Sequence, residues 1–147
     1  MLLNDMKKLL LTIVALSAMT SMFAQNTIVG DWMTVDDKTG DNYSIVRIYQ
    51  GDDGLYYGKI QKILMGPEDV TCTLCTGADK DAPMLNLVII RGMHMEKGEL
   101  RGGKVLDPNN GKFYYGKIYL KNGKLVLRGS LDKLGAFGRN QTWVPAK

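Results

Sequence analysis

One histidine and two cysteines are all that this 147-residue chain offers in imidazole and thiol chemistry. That scarcity excludes a good deal. A tetrahedral zinc site wants four ligands, and the pair Cys72-x-x-Cys75 has no second pair to complete it. Nucleophilic catalysis needs a nucleophile, a base and an orienting group. The only imidazole, His94, sits in the strand-like segment Arg91-Gly92-Met93-His94-Met95, where a partly exposed side chain is the plain reading, and no serine stands in a G-x-S-x-G elbow. A phosphate loop, a dinucleotide fingerprint and a calcium loop are all missing. The paired acids Asp36-Asp37 and Asp52-Asp53, and Asp107 before Pro108, fall where turn-forming aspartates belong. The expectation is a protein that is not an enzyme, with no catalytic residues, metal or cofactor.

Charge of one sign is also sparse. The 19 Lys and Arg residues against 15 Asp and Glu give a formal charge of +4. The cations are scattered, whereas nucleic acid requires a concentrated stripe of them, so no nucleic-acid partner is expected. Long apolar runs are limited to one, Leu9 to Ala18. It is too short to span a bilayer stably. Lys7 and Lys8 precede it and the small residue Ala24 follows, the order of a secretory signal. The reading is a signal over residues 1–24, a mature chain over 25–147 forming one domain, and a periplasmic or secreted location. No cysteine lies at the cut, so a lipid anchor is not expected.

What the chain has in quantity is turn punctuation. Asp36 to Gly40, Asp52-Asp53-Gly54, Lys97-Gly98, Asp107 to Gly111 and Asn122-Gly123 divide it into eight strand candidates: 28–35, 43–50, 55–64, 87–95, 99–106, 112–120, 124–130 and 137–144. Most connections suit only antiparallel neighbours. Closing such a meander removes its exposed edges, so the expectation is all-β, an eight-stranded antiparallel up-and-down barrel. A two-sheet sandwich is the alternative. Leu125 and Leu127 alternate with Lys124, Val126 and Arg128, but period two does not say which face points inward. Tyr56-Tyr57-Gly58-Lys59-Ile60 recurs as Tyr114-Tyr115-Gly116-Lys117-Ile118, a strand with Gly at a bend or a close approach.

Cys72 and Cys75 lie in the one long connection, 65–85, with Pro67, Gly77 and Pro83. A structural disulfide, a redox pair and a zinc half-site compete. Thiol–disulfide enzymes place C-x-x-C at the start of a helix in a βαβ unit, and these flanks are loop-like, which favours a disulfide that fastens the loop at one barrel end.

In the last strand Phe137, Arg139, Gln141 and Trp143 share one face, either a plug or the wall of a ligand site. Gly30-x-Trp32 opens the first strand. With Cys72-x-x-Cys75, Leu106-Asp107-Pro108-x-x-Gly111-Lys112, Arg128-Gly129 and Phe137-Gly138-Arg139-x-Gln141-x-Trp143, it makes a series that resembles a secreted bacterial family catalogued as a domain of unknown function. That family is similar in outline to the calycins, the lipocalin and fatty-acid-binding barrels. The resemblance implies that Trp32 and Arg139 form a barrel-closing pair, and it has Gly where this chain has Asn86.

The functional expectation is an exported barrel that binds a small, partly apolar molecule in or at its mouth. Trp32, Arg139, Gln141 and Trp143 would line or floor that site, with Tyr49, Tyr57 and Tyr115 as wall residues. A filled barrel serving as an envelope interaction or accessory protein, of unknown partner, is the second reading. A thiol oxidoreductase is the third.

Overall fold

A computed structural model of the protein describes residues 27–147. The export signal expected over 1–24 therefore lies outside the described residues. Nine antiparallel strands form one closed sheet: β1 (Gly30–Val35), β2 (Asn42–Gln50), β3 (Tyr56–Ile63), β4 (Val88–Glu96), β5 (Glu99–Arg101), β6 (Lys104–Asp107), β7 (Lys112–Lys121), β8 (Lys124–Ser130) and β9 (Gly138–Pro145). Sequence neighbours pair throughout except β5 and β6, which each lie between β4 and β7, and β1 pairs with β9 through Trp32↔Pro145 and Met33↔Val144. The strands thus make an up-and-down barrel, and no second sheet exists among the described residues.

The expected single strand over 99–106 is two. Gly102, at φ +76°, breaks it, and a Cβ on Gly103 would come 2.3 Å from the Arg91 carbonyl oxygen. Only glycine allows that approach. The break lets β5 pair with the end of β4 and β6 with its start, while both also meet β7.

Turn chemistry accounts for the hairpins. The Asp36 carboxylate accepts the Lys38 and Thr39 amides, Asp53 accepts that of Leu55, and Asp107 accepts that of Asn109. These are the side-chain turns that aspartate favours. Asn86 sits at φ +68°, a conformation that asparagine tolerates better than most residues other than glycine, which explains why it stands where the resemblance has Gly.

The interior is packed. Trp32, Val46, Ile48, Ile60, Ile90, Met93, Leu100, Ile118, Leu125, Leu127 and Trp143 are all buried in one cluster. The repeated Tyr-Tyr-Gly-Lys-Ile segment finds its reason here. A Cβ on Gly58 would meet Ile90 Cδ1 at 2.7 Å, and one on Gly116 would meet Met93 Cε at 2.0 Å. Both glycines make room in the core for side chains of β4.

The barrel has two unlike ends. One carries the tight β2–β3, β4–β5 and β7–β8 turns together with Ile28. Ile28 is buried, and its carbonyl accepts the Trp32 indole N–H at 2.8 Å. The other carries the connections 36–41, 64–87, 108–111 and 131–137. Cys72 and Cys75 are joined in a disulfide and buried. Their loop rests on the β6–β7 turn, where Cys72 Sγ lies 3.7 Å from the Pro108 carbonyl oxygen. Arg91 pins the same loop through two hydrogen bonds to Asp79, at 3.0 and 2.9 Å.

Candidate functional site

Directly opposed residues of antiparallel strands share a face. Leu125↔Trp143, Leu127↔Gln141 and Gly129↔Arg139 therefore set Trp143, Gln141 and Arg139 on the inner face of β9, because Leu125 and Leu127 belong to the core. Along that face Trp143 is buried, Gln141 half-buried and Arg139 exposed. The Trp143 indole N–H donates to Gln141 Oε1 at 3.3 Å, tying floor to wall. Arg139 has no ion-pair or hydrogen-bond partner for its side chain among the described residues.

Three residues that sequence reasoning missed, Thr34, Ser44 and Tyr114, also lie on the inner face. Thr34 pairs with Ser44 one step toward the mouth from the Trp32↔Val46 pair. Their hydroxyls are 2.9 Å apart, both half-buried and on the inner face. Tyr114 is a third, sharing a face with Gly116 and receiving the Asn110 side-chain amide on its hydroxyl at 2.9 Å. The signal for all three was alternation, Trp32 with Thr34, Val46 with Ser44, Gly116 with Tyr114. It becomes readable only once the inward face is known. The inner face toward the open end thus carries two hydroxyls, a carboxamide, a phenol and a guanidinium. Such a set can hydrogen-bond oxygen atoms and hold a negative charge.

The Trp32–Arg139 pair does not form. Trp32 faces Pro145, and Arg139 lies some six residues farther along β9, roughly 20 Å away in an extended strand. Trp32 instead spends its indole N–H on Ile28, so it belongs to the plug of the closed end.

Tyr49, Tyr57 and Tyr115 are not wall residues of the interior. They sit on the outer face, because their strand neighbours Ile48, Gly58 and Gly116 take the inner one. Tyr49 and Tyr57 stack at 6.0 Å between ring centres, with Lys59 above Tyr49. With Asp53, Val88 and Arg91 they line an open concavity of about 560 Å³ on the outer wall. A second, of about 490 Å³, continues past Arg91 to Pro83 and Asn86 on the disulfide loop. The Tyr57 hydroxyl donates to the Asp53 carboxylate, which lowers the Asp53 pKa and raises that of Tyr57. Arg91 and Lys104 oppose each other across β4 and β6. The repulsion this would cause is relieved by Asp79 on one side and on the other by the Tyr115 ring, 3.4 Å from Lys104 Nζ. Tyr115 is therefore a structural partner of Lys104.

His94 is exposed on β4, 3.4 Å from Glu96. No group of three or more His, Cys, Asp or Glu is placed to hold a metal ion among the described residues. Nor is any helix among them long and apolar enough to cross a membrane.

Comparison with solved structures finds the same barrel in a protein from the human pathogen Helicobacter pylori described as belonging to the lipocalin family. The TM-score is 0.71 at 22% identity, covering 82% of this chain and 83% of that one. At that identity the likeness establishes the fold. Comparison with curated proteins finds no match. Residues 30–144, from the Gly-x-Trp opening to the end of the last strand, match the family described as an uncharacterized protein conserved in bacteria (DUF2147), and the chain belongs to it.

Proposed function

We propose that the protein is an exported, non-enzymatic binding barrel. It takes a small, partly apolar molecule with an anionic oxygen group at its mouth rather than deep inside. One observation carries this reading: the inner face of β9 rises from buried Trp143 through Gln141 to an unpaired, exposed Arg139. Below that level the core side chains occupy the interior. The ligand's apolar part would lie against the floor and its charge against Arg139. The lipocalin-like fold supports the reading by analogy. The disulfide is compatible with a periplasmic or secreted location. Buried and seated on the β6–β7 turn, the cysteine pair is assigned a stapling role rather than a redox one.

Isothermal titration with decanoate, a carboxylate on a short apolar tail, tests it. Binding by the wild type and a loss of roughly ten- to hundred-fold in Arg139→Ala are expected, the worth of one charge-assisted hydrogen bond. An absence of binding by the wild type, or undiminished binding by Arg139→Ala, overturns the reading.

A further inference from the structure

Closure of the barrel rests on a short ladder. β1 meets β9 through Trp32↔Pro145 and Met33↔Val144, and the Ala146 amide donates to the Asp31 carbonyl at 3.0 Å. Toward the mouth the pairing stops. The β1–β2 ladder is irregular between Thr34 and Val35, with Tyr43 as the extra residue, and an extra residue bends a ladder. From Gly138 to Thr142, β9 pairs with β8 alone among the described residues. The Leu131 amide donates to the Phe137 carbonyl at 2.9 Å, which makes those two a hydrogen-bonded pair. Such pairs alternate along an antiparallel ladder. Arg139 and Gln141 thus spend their main-chain groups on β8, while Gly138, Asn140 and Thr142 direct theirs away from it, into the seam. All three are exposed.

An uncovered edge of this kind recognises one chemistry, the main chain of another extended strand. We propose that the strand it takes is the same stretch of a second copy, the two β9 edges running antiparallel about a two-fold axis at Asn140. The free stretch, Gly138 to Thr142, is centred on that residue. Gly138 then faces the partner's Thr142, Asn140 its own counterpart, and Thr142 the partner's Gly138, each as a hydrogen-bonded pair. The side chains agree with this register. Arg139 comes opposite the partner's Gln141, a guanidinium beside a carboxamide oxygen, and no charge meets its like. An inward charge ordinarily guards an edge against pairing. Here it rejects the register that opposes Arg139 to itself and admits the one centred a residue away. The outward side chains Gly138, Asn140 and Thr142 include no lysine, proline or acid to keep a strand off. In the joined sheet each mouth gains the partner's Gln141 beside its own Arg139.

Sedimentation equilibrium of the purified protein, up to about 0.5 mM, tests this, since so short a strand pairing belongs to the weak, transient class of interface. A monomer–dimer equilibrium is expected. Asn140→Pro removes the central amide, which β8 does not use and whose place on an edge tolerates proline, and should weaken association at least ten-fold. Gln141→Lys sets a cation opposite each Arg139 and should weaken it about three-fold or more. Gln141→Glu should tighten it by a similar factor at low salt and lose that gain at high salt. The two Gln141 variants leave the main chain untouched, so their opposite signs read the register even if Asn140→Pro does not fold. A wild type that stays monomeric, a dimer indifferent to a folded Asn140→Pro, the same response to both Gln141 variants, or a dimer lost on Leu134→Ser each overturns the proposal. Decanoate binding at Arg139 is read on the monomer, below the dimerisation range, and stands or falls on its own.

Discussion

The two ends of the barrel are made from the same strands and serve opposite ends of a polarity scale. At the closed end, Ile28, Trp32, Leu125 and Trp143 are buried, and the one polar atom of Trp32 is satisfied by Ile28. At the mouth, the same inner face carries Thr34, Ser44, Tyr114, Gln141 and Arg139, and the apolar side chains have moved out to the loops. The difference teaches that one end is closed by large buried side chains, while the other, where recognition is proposed, keeps polar groups on the inner face beside the buried Cys72, Cys75 and Leu106. A strand such as β9 supplies both, Trp143 below and Arg139 above.

The sharpest way to break that comparison is to truncate one side chain at each end. Trp143→Ala should cost about 3–5 kcal/mol, the usual range for emptying a buried aromatic site. Arg139→Ala should stay within about 0.5 kcal/mol, since the side chain is exposed and unpaired. Urea unfolding measures both. If Arg139→Ala is as costly as Trp143→Ala, the mouth is part of the core and the division fails.

The glycines of the inner face make a finer version of the same contrast. Gly58 lies deep in the barrel, against Ile90 Cδ1 at 2.7 Å and Ile90 Cβ at 3.0 Å. Ile90 is fully buried and stiff at χ1, so Gly58→Ala should cost about 1–3 kcal/mol by overpacking. Gly129 lies opposite Arg139, and a Cβ there would meet nothing closer than Tyr114 Cβ at 3.5 Å. Gly129→Ala should be neutral, or stabilise by about 0.4–1 kcal/mol through the unfolded chain. Equal losses would show that the packed region reaches the rim.

Much of this was written in the sequence and part of it was not, for physical reasons. Turn residues announced five of the hairpins, though not the one between β8 and β9, and the short connections made an antiparallel meander the natural closure. The break at Gly102–Gly103 was invisible, because it depends on how closely β6 must approach the Arg91 carbonyl. The inner face could not be chosen either. Period two separates Tyr49 from Ile48 and Tyr57 from Gly58 without saying which set the barrel encloses. The tyrosines went outside because Gly58 and Gly116 had to be inside, beneath Ile90 and Met93. Arg139 was placed correctly on a face with Gln141 and Trp143. Its supposed partner Trp32 was lost to register, a quantity that no single strand carries.

Reducing the Cys72–Cys75 disulfide is expected to loosen the long mouth loop and leave the closed end intact. The ring is small, so the loop-entropy model gives at most about 2 kcal/mol. Arg91–Asp79 and the contact with the β6–β7 turn persist without it. Amide exchange should rise between Thr71 and Ala82 while the β7 and β8 amides stay protected. Global unfolding on reduction would mean that the loop is a keystone of the whole barrel.

The smallest expected effect compares two carboxylates, one toward each end. Asp31 is held below the usual carboxylate range mainly by its hydrogen bonds to Arg47, at 2.7 Å. Asp132, in the β8–β9 connection, is lowered by the amides of Phe137 and Ala136. Both groups have folded pKa values below their unfolded ones. Their contributions are therefore fully present above the unfolded value, about 4, and are lost as the pH falls through the depressed folded value. The β8–β9 connection should hold its shape across neutral pH and loosen only below about pH 4, seen as movement of the Ala136 and Phe137 amide resonances. Asp132→Asn should abolish that response. Salt separates the two. Arg47 is a partly solvated charge whose pull is screened, whereas amide donors act at contact and are screened little. Raising ionic strength should thus lift the Asp31 titration more than that of Asp132. Equal shifts would show that the β8–β9 connection is organised by a cation rather than by its own backbone.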